Sequence, residues 1–182
     1  MNLLFDTGAN GALLLANMQL LGVDPASINE VFLSHVHFDH TGGLSSFLNE
    51  NNQVRVYAPE PMRGIRSASE VVYIDKPTEL RKNFYTTGML EGIEQSLAIR
   101  SDKGVVIIVG CSHPGVGNVL NAAKQFGAPR ALIGGLHGFD EFEELRPLEF
   151  VCPTHCTQHI AEIRSRYPDK YIAGGVGASI EI

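Results

Sequence analysis

The stretch Ser34-His35-Val36-His37-Phe38-Asp39-His40-Thr41-Gly42-Gly43 places three imidazoles and a carboxylate almost side by side. His35 and His37 point the same way if extended backbone continues through them, so two ring nitrogens can grip one cation. Asp39 and His40 then turn toward a second cation next to the first. Imidazole suits zinc, iron and other divalent first-row ions, and the carboxylate adds a hard oxygen donor. The expected cofactor is therefore a divalent metal, zinc first with manganese or iron as alternatives, bound as one or two ions. The chain has seven histidines: 35, 37, 40, 113, 137, 155 and 159. All but one fall at the ends of expected strands, in loops where side chains can converge while their backbones stay fixed. His113, in Gly110-Cys111-Ser112-His113-Pro114-Gly115, can complete a three-histidine set and leave a position for water. His155, in Pro153-Thr154-His155-Cys156-Thr157, is the natural third ligand of the second ion. Cys156 competes with it, because thiolate binds zinc well. We read Cys156 as a small packed residue, and Cys111 and Cys152 as core.

The elements that must position these groups follow from apolar runs and breakers. Residues 3–5 form a short buried strand running into the turn Asp6-Thr7-Gly8. Residues 12–21 are helix formers stopped by Gly22, with Leu13, Leu14, Leu20 and Leu21 as the core stripe. A strand at 31–33 leads into the histidine motif, and a helix opens at Gly42-Gly43 and runs through Phe47. Residues 54–57 read as a strand, with Pro59 and Pro61 as breakers. Residues 62–94 lack periodicity and read as loops with short hairpins. Residues 96–100 and 105–109 flank a good hairpin turn. Then come a helix over 117–126, strands at 131–133 and 150–151, a helix over 158–167, and a last strand at 171–173. Helices alternating with strands predict a layered α/β sandwich.

A chain of 182 residues and 19.8 kDa buries about 70% of its surface, enough for one core, so residues 1–182 read as a single domain. Hydrophobic residues at 44% and charged residues at 19% exclude a disordered chain. The net charge is −6 and no basic block occurs, which argues against a nucleic-acid partner. The longest apolar run, 104–110, is far too short for a membrane span, and the start lacks the basic residues of a signal peptide. Three cysteines cannot close a disulfide framework, so a reduced, cytoplasmic setting is expected. The partner that remains is a small-molecule substrate.

Five phrases, FDTG at 5–8, SHVHFDHTGGL at 34–44, GCSHPGVGN at 110–118, GGLHGF at 134–139 and PTHCT at 153–157, together resemble the metallo-β-lactamase superfamily over nearly the whole chain. The last four, with YTTG at 85–88 and EQSLAI at 94–99, are similar to its 7,8-dihydropterin-6-methyl-4-(β-ribofuranosyl)aminobenzene 5′-phosphate synthase-like branch. The resemblance implies a four-layer αββα sandwich with a metal site at one edge of two sheets. It implies that His35, His37 and His113 hold one metal, and Asp39, His40 and His155 the other. It makes Asp6 an outer carboxylate that orients the ligand loop; on its own, Asp6 also reads as a turn-former before Thr7-Gly8.

Two departures from the superfamily pattern matter. Many of its hydrolases carry a bridging Asp where this chain has Gly134-Gly135-Leu136-His137, and the nearest carboxylate is Asp140. His137 is then open to four readings: a ligand, a proton shuttle, a substrate contact or a plain loop residue. Loss of the bridge should weaken the second metal. The chain also begins almost at FDTG, where relatives have earlier strands, so the first strands are expected to be lacking and a bare sheet edge invites a homodimer. His37 argues against the oxygen-reducing diiron branch, which has Glu at that place.

The expected activity is hydrolysis of a phosphoryl or acyl ester, with Asp39 and His137 as the catalytic groups: Asp39 passing on a proton, His137 donating to the leaving group. The alternatives are a synthase-like transferase and a non-catalytic metal-binding homologue. Arg63 and Arg66 could meet a substrate phosphate but read as solvated loop residues, and His159 reads as a surface histidine.

Overall fold

Among residues 1–181, which the computed structural model describes, the strands form two sheets, each within one of two compact units, Met1–Asp75 and Lys76 onward. This is the mixed α/β class expected from the alternating pattern.

In the first unit, β1 (Asn2–Phe5), β2 (Ile28–Phe32), β3 (Arg55–Pro59) and β4 (Glu70–Ile74) lie in sequence order and all run parallel. Parallel neighbours deliver their C-terminal ends to one edge, so Asp6 after β1 and Ser34-His35 after β2 emerge side by side. Pro59 sits inside β3 as its last residue and does not stop the strand early. β4 was hidden in the aperiodic 62–94 stretch; Glu70-Val71-Val72-Tyr73-Ile74 is strand-like, but only Ile74 is buried. Helix α1 (Gly11–Leu20) is capped by the Asn10 side chain, which accepts from the Leu13 amide at 3.1 Å.

The expected leucine stripe of α1 is wrong in part. Leu13, Leu20 and Leu21 are 60%, 84% and 51% exposed, whereas Gly11 and Met18 are buried and Leu14 and Leu15 pack against the core. The buried face is the 11-14/15-18 set, which is the helical repeat that starts from the close approach of Gly11 to Ser46. Val31, Leu33, Phe47, Leu48 and Val56 fill the core under it.

In the second unit the order is β10-β9-β8-β7-β6-β5. β5 (Thr78–Arg81), β6 (Phe84–Thr86), β7 (Leu97–Ser101) and β8 (Gly104–Val109) pair antiparallel, and β9 (Pro129–Gly135) and β10 (Phe150–Thr154) continue from β8 in parallel. The hairpin expected around residues 101–104 is β7–β8. Val105, Ile107 and Val109 join one core cluster with α4 (Val116–Ala123), while Val106 joins another, so alternate residues of β8 are covered on both faces. Helix α5 (Ile160–Arg166) packs through Ile163. The last expected strand, 171–173, is reduced to one bridge from Tyr171 to Val151.

Candidate metal centre

In the first unit, the close approach of two turns fixes the histidine motif. Thr7 donates to the His40 carbonyl from its amide (2.8 Å) and its hydroxyl (3.0 Å), and the Gly43 amide donates to Gly8. A Cβ on Gly43 would run into the Thr7 carbonyl, so glycine is required there. Beyond β2 the chain bends at Val36, is extended at His37 and then makes the single helical turn α2 (Phe38–Thr41), with the His37 carbonyl accepting from the His40 and Thr41 amides. One turn brings His40 back toward the residues that precede it, and α3 (Leu44–Glu50) follows.

Asp6, at φ 55°, organises this turn. Its Oδ1 accepts the Ser34 amide at 2.7 Å; its Oδ2 accepts the Ser34 hydroxyl at 2.8 Å and faces His40 Nδ1 at 2.6 Å. Ser34 Oγ has spent its one hydrogen on Asp6, so toward His35 Nδ1, 2.9 Å away, it can only accept. Both His35 and His40 therefore carry a proton on Nδ1, and in the neutral ring each Nε2 keeps a lone pair. His35 Nε2 lies 3.0 Å from His37 Nδ1, and His40 Nε2 lies 3.5 Å from an Asp39 oxygen. His35 and His40 are buried, while His37 and Asp39 are exposed. Electron-pair donors converge here from two tautomer-locked imidazoles, a third ring and a carboxylate, a set suited to a divalent first-row cation. Spacing alone gives Ser34 no role; its place directly before His35 is the available signal.

In the second unit the loops after β8, β9 and β10 leave one edge of the parallel strands. They carry His113, His137 and His155. Each loop contains a non-glycine residue in left-handed backbone: Ser112 (φ 58°), His137 (φ 49°) and His155 (φ 51°). Such conformations persist where surrounding bonds over-determine them. Gly135 donates to the Gly110 carbonyl, Ser112 Oγ donates to the Gly135 carbonyl at 2.8 Å, Leu136 donates to Thr157 Oγ1 at 2.9 Å, and Gln158 donates to the His137 carbonyl. The His113 and His137 rings stand 5.2 Å apart. Cys111 is buried as expected, yet its Sγ and a ring nitrogen of His155 fall within 4.8 Å of each other. Cys152 is a core residue whose burial pushes its thiol pKa up, away from ligand chemistry.

The glycine pair in the bridging-Asp place has a steric cause. A Cβ on Gly134, at φ 131°, would meet the Val109 carbonyl, and one on Gly135 would meet the Gly110 carbonyl and stand 2.8 Å from Cys156 Sγ. No side chain fits at either position. Elsewhere, Arg63 is exposed and tied to Glu60, and Arg66 lines a cavity of about 260 Å³ with Thr41, Ser45 and Asn49. His159 is half-exposed beside Glu162.

Residues 2–161 match the family model of the metallo-beta-lactamase superfamily. The chain belongs to that superfamily. It is 30% identical to the 7,8-dihydropterin-6-methyl-4-(beta-D-ribofuranosyl)-aminobenzene-5′-phosphate synthase of Methanocaldococcus jannaschii, over 88% of this chain and 76% of that protein. The crystal structure of Tm1679, a metal-dependent hydrolase of the beta-lactamase superfamily, matches with a TM-score of 0.80 and 28% identity, over 100% of this chain and 89% of that one. The mono-zinc form of the metallo-beta-lactamase FIM-1 from Pseudomonas aeruginosa shares the fold, with a TM-score of 0.53 over 80% of this chain and 75% of that one, at 15% identity. Superfamily membership makes this an enzyme fold built around divalent metal. Among the described residues, no helix is long and apolar enough to cross a membrane.

Proposed function

We propose that this metallo-β-lactamase superfamily member is a metal-dependent hydrolase of a small phosphoryl or acyl ester. His35, His37 and His113 serve as the ligands of one divalent cation, and Asp39, His40 and His155 as those of a second. The observation that carries this reading is the Asp6–Ser34 relay: one carboxylate sets the tautomers of two imidazoles so that both offer Nε2. A divalent cation held there, zinc foremost, would supply Lewis-acid polarisation and make hydroxide available near neutral pH.

The chain's own groups do the rest. Asp39, exposed and 3.5 Å from His40, can accept the proton released by the attacking water. His137, on its strained loop beside His113, donates to the leaving group. Cys111, Cys152 and Cys156 stand as free thiols, in keeping with a reducing, cytoplasmic setting.

The test is elemental analysis with anomalous scattering on the purified protein, alongside turnover of an ester, lactone and phosphodiester panel. His35→Ala should lose both bound metal and turnover. Retention of both by the variant would end the proposal. Likeness to the M. jannaschii synthase favours a second reading, a synthase-like transfer; in this reading a dihydropterin joins an aminoaryl acceptor and pyrophosphate is the group that leaves. Supplying a pterin pyrophosphate with and without that acceptor separates the two: hydrolysis consumes it in both cases, transfer only when the acceptor is present.

A further inference from the structure

Glu94 is wholly buried. Its Oε1 accepts the amides of Gly110, Cys111 and Ser112 at 2.9, 2.9 and 3.2 Å, and its Oε2 accepts the His113 amide at 3.0 Å. A carboxylate left unpaired in the interior is strongly unfavourable, and so is a row of buried amides without acceptors. Each side here removes the penalty of the other. The four successive amides form a concave nest that only an anionic acceptor of this reach fills. The neighbours of Glu94 are equally committed: Gln95 accepts from Thr86 Oγ1 at 2.7 Å, and the Ser96 amide donates to Thr87 Oγ1 at 2.9 Å. Glu94, which precedes β7 and forms an isolated bridge with Leu90, therefore cannot shift without breaking a second buried network.

We propose that Glu94 is the positioning residue for His113. By holding the amides from Gly110 to His113 it imposes the left-handed backbone at Ser112 and fixes the direction in which the His113 ring leaves the loop. This rests on the metal reading above only for what His113 then does; the dependence of the loop on Glu94 does not.

The experiment uses the full chain. Amide hydrogen exchange on the metal-free wild type should show Gly110, Cys111, Ser112 and His113 protected. Exchange there as fast as in an open loop overturns the proposal without any variant. Co(II) titration, read by its ligand-field absorption, then compares wild type, Glu94→Gln, Glu94→Asp and Thr86→Val. Gln turns an acceptor into a donor facing an amide, and Asp is one methylene too short. Each should weaken Co(II) binding about 10–100-fold and alter the band. Thr86→Val disturbs the adjacent network without touching the loop; it should lower thermal stability and leave the affinity of the folded protein unchanged. A folded Glu94→Gln with wild-type affinity and spectrum overturns the positioning role. Absence of Co(II) uptake by the wild type overturns the metal reading instead, and with it the ligand duty given to His113.

Discussion

The two units solve the same problem, aiming histidines from the ends of parallel strands, in different ways. In the first, the chemistry-bearing residues come from one continuous stretch, and the organising carboxylate, Asp6, bonds mainly to side chains: Ser34 Oγ and His40 Nδ1, with one amide. In the second they come one per loop, and the organising carboxylate, Glu94, bonds only to backbone. Side-chain bonding sets the tautomer of a ring whose place is already given by its neighbours. Backbone bonding sets the place of a ring whose neighbours do not constrain it. A compact motif needs help with protonation, and a dispersed one needs help with geometry.

The sharpest way to break this contrast is Asp6→Asn. The amide can still accept from the Ser34 amide, but its own N–H groups must then meet a Ser34 or His40 donor. His35 and His40 both lose their fixed tautomer, so Co(II) affinity should fall about 10–100-fold. Because those histidines belong to different ligand sets, both equivalents should weaken, whereas Glu94→Gln should weaken only the equivalent that uses His113. Equal effects of the two variants on both equivalents would dissolve the distinction.

Gly135→Asp probes the crowding in the second unit. Restoring a carboxylate in the bridging place forces it against the Gly110 carbonyl and Cys156. Overpacking of this kind costs about 1–3 kcal/mol, which at about 2–4 °C per kcal/mol lowers Tm by about 2–12 °C, with no gain in affinity. Calorimetry and Co(II) titration together check it; an undiminished Tm with tighter binding would show that the loop can open.

Glu144 supplies the smallest effect and a contrast with both organisers. Its Oε2 is buried with no hydrogen-bond partner among the described residues, and burial, then Glu141, pushes its pKa up. A carboxyl whose folded pKa is raised costs stability when ionised, and the cost disappears as pH falls through that pKa. Glu144→Gln should therefore raise Tm at pH 7 by about 1–3 °C, and the advantage should shrink on acidification and vanish below the ordinary Glu value of about 4.3. A Tm difference independent of pH would mean that desolvation of the charge is not its cause.

Much of this was legible beforehand. The strands at 31–33, 54–57, 96–100 and 105–109 announce themselves as short apolar runs, the helices at 12–21 and 117–126 by their glycine stops, and the helix at 158–167 by Pro168. β4 was not legible, because its half-exposed residues neither alternate cleanly nor form a buried run. Nor was the outward turn of Leu13 and Leu20, since helical spacing permits several stripes and only the contact between Gly11 and Ser46 selects one. Glu94 stands in a stretch that matched the family pattern, yet nothing local marks a single glutamate as the acceptor of amides 16 to 19 residues away.

By itself the sequence determined the fold class and the cluster at 34–43. A bend at Val36 and a single helical turn are local geometries, and residue types two to five apart are enough to bring donors together. Tertiary structure alone decided which nitrogens hold protons, why Gly134 and Gly135 tolerate no side chain, and what holds the His113 loop. Each of these depends on which groups meet in the interior, as hydrogen-bond partners or as close packing, and no spacing along the chain records that.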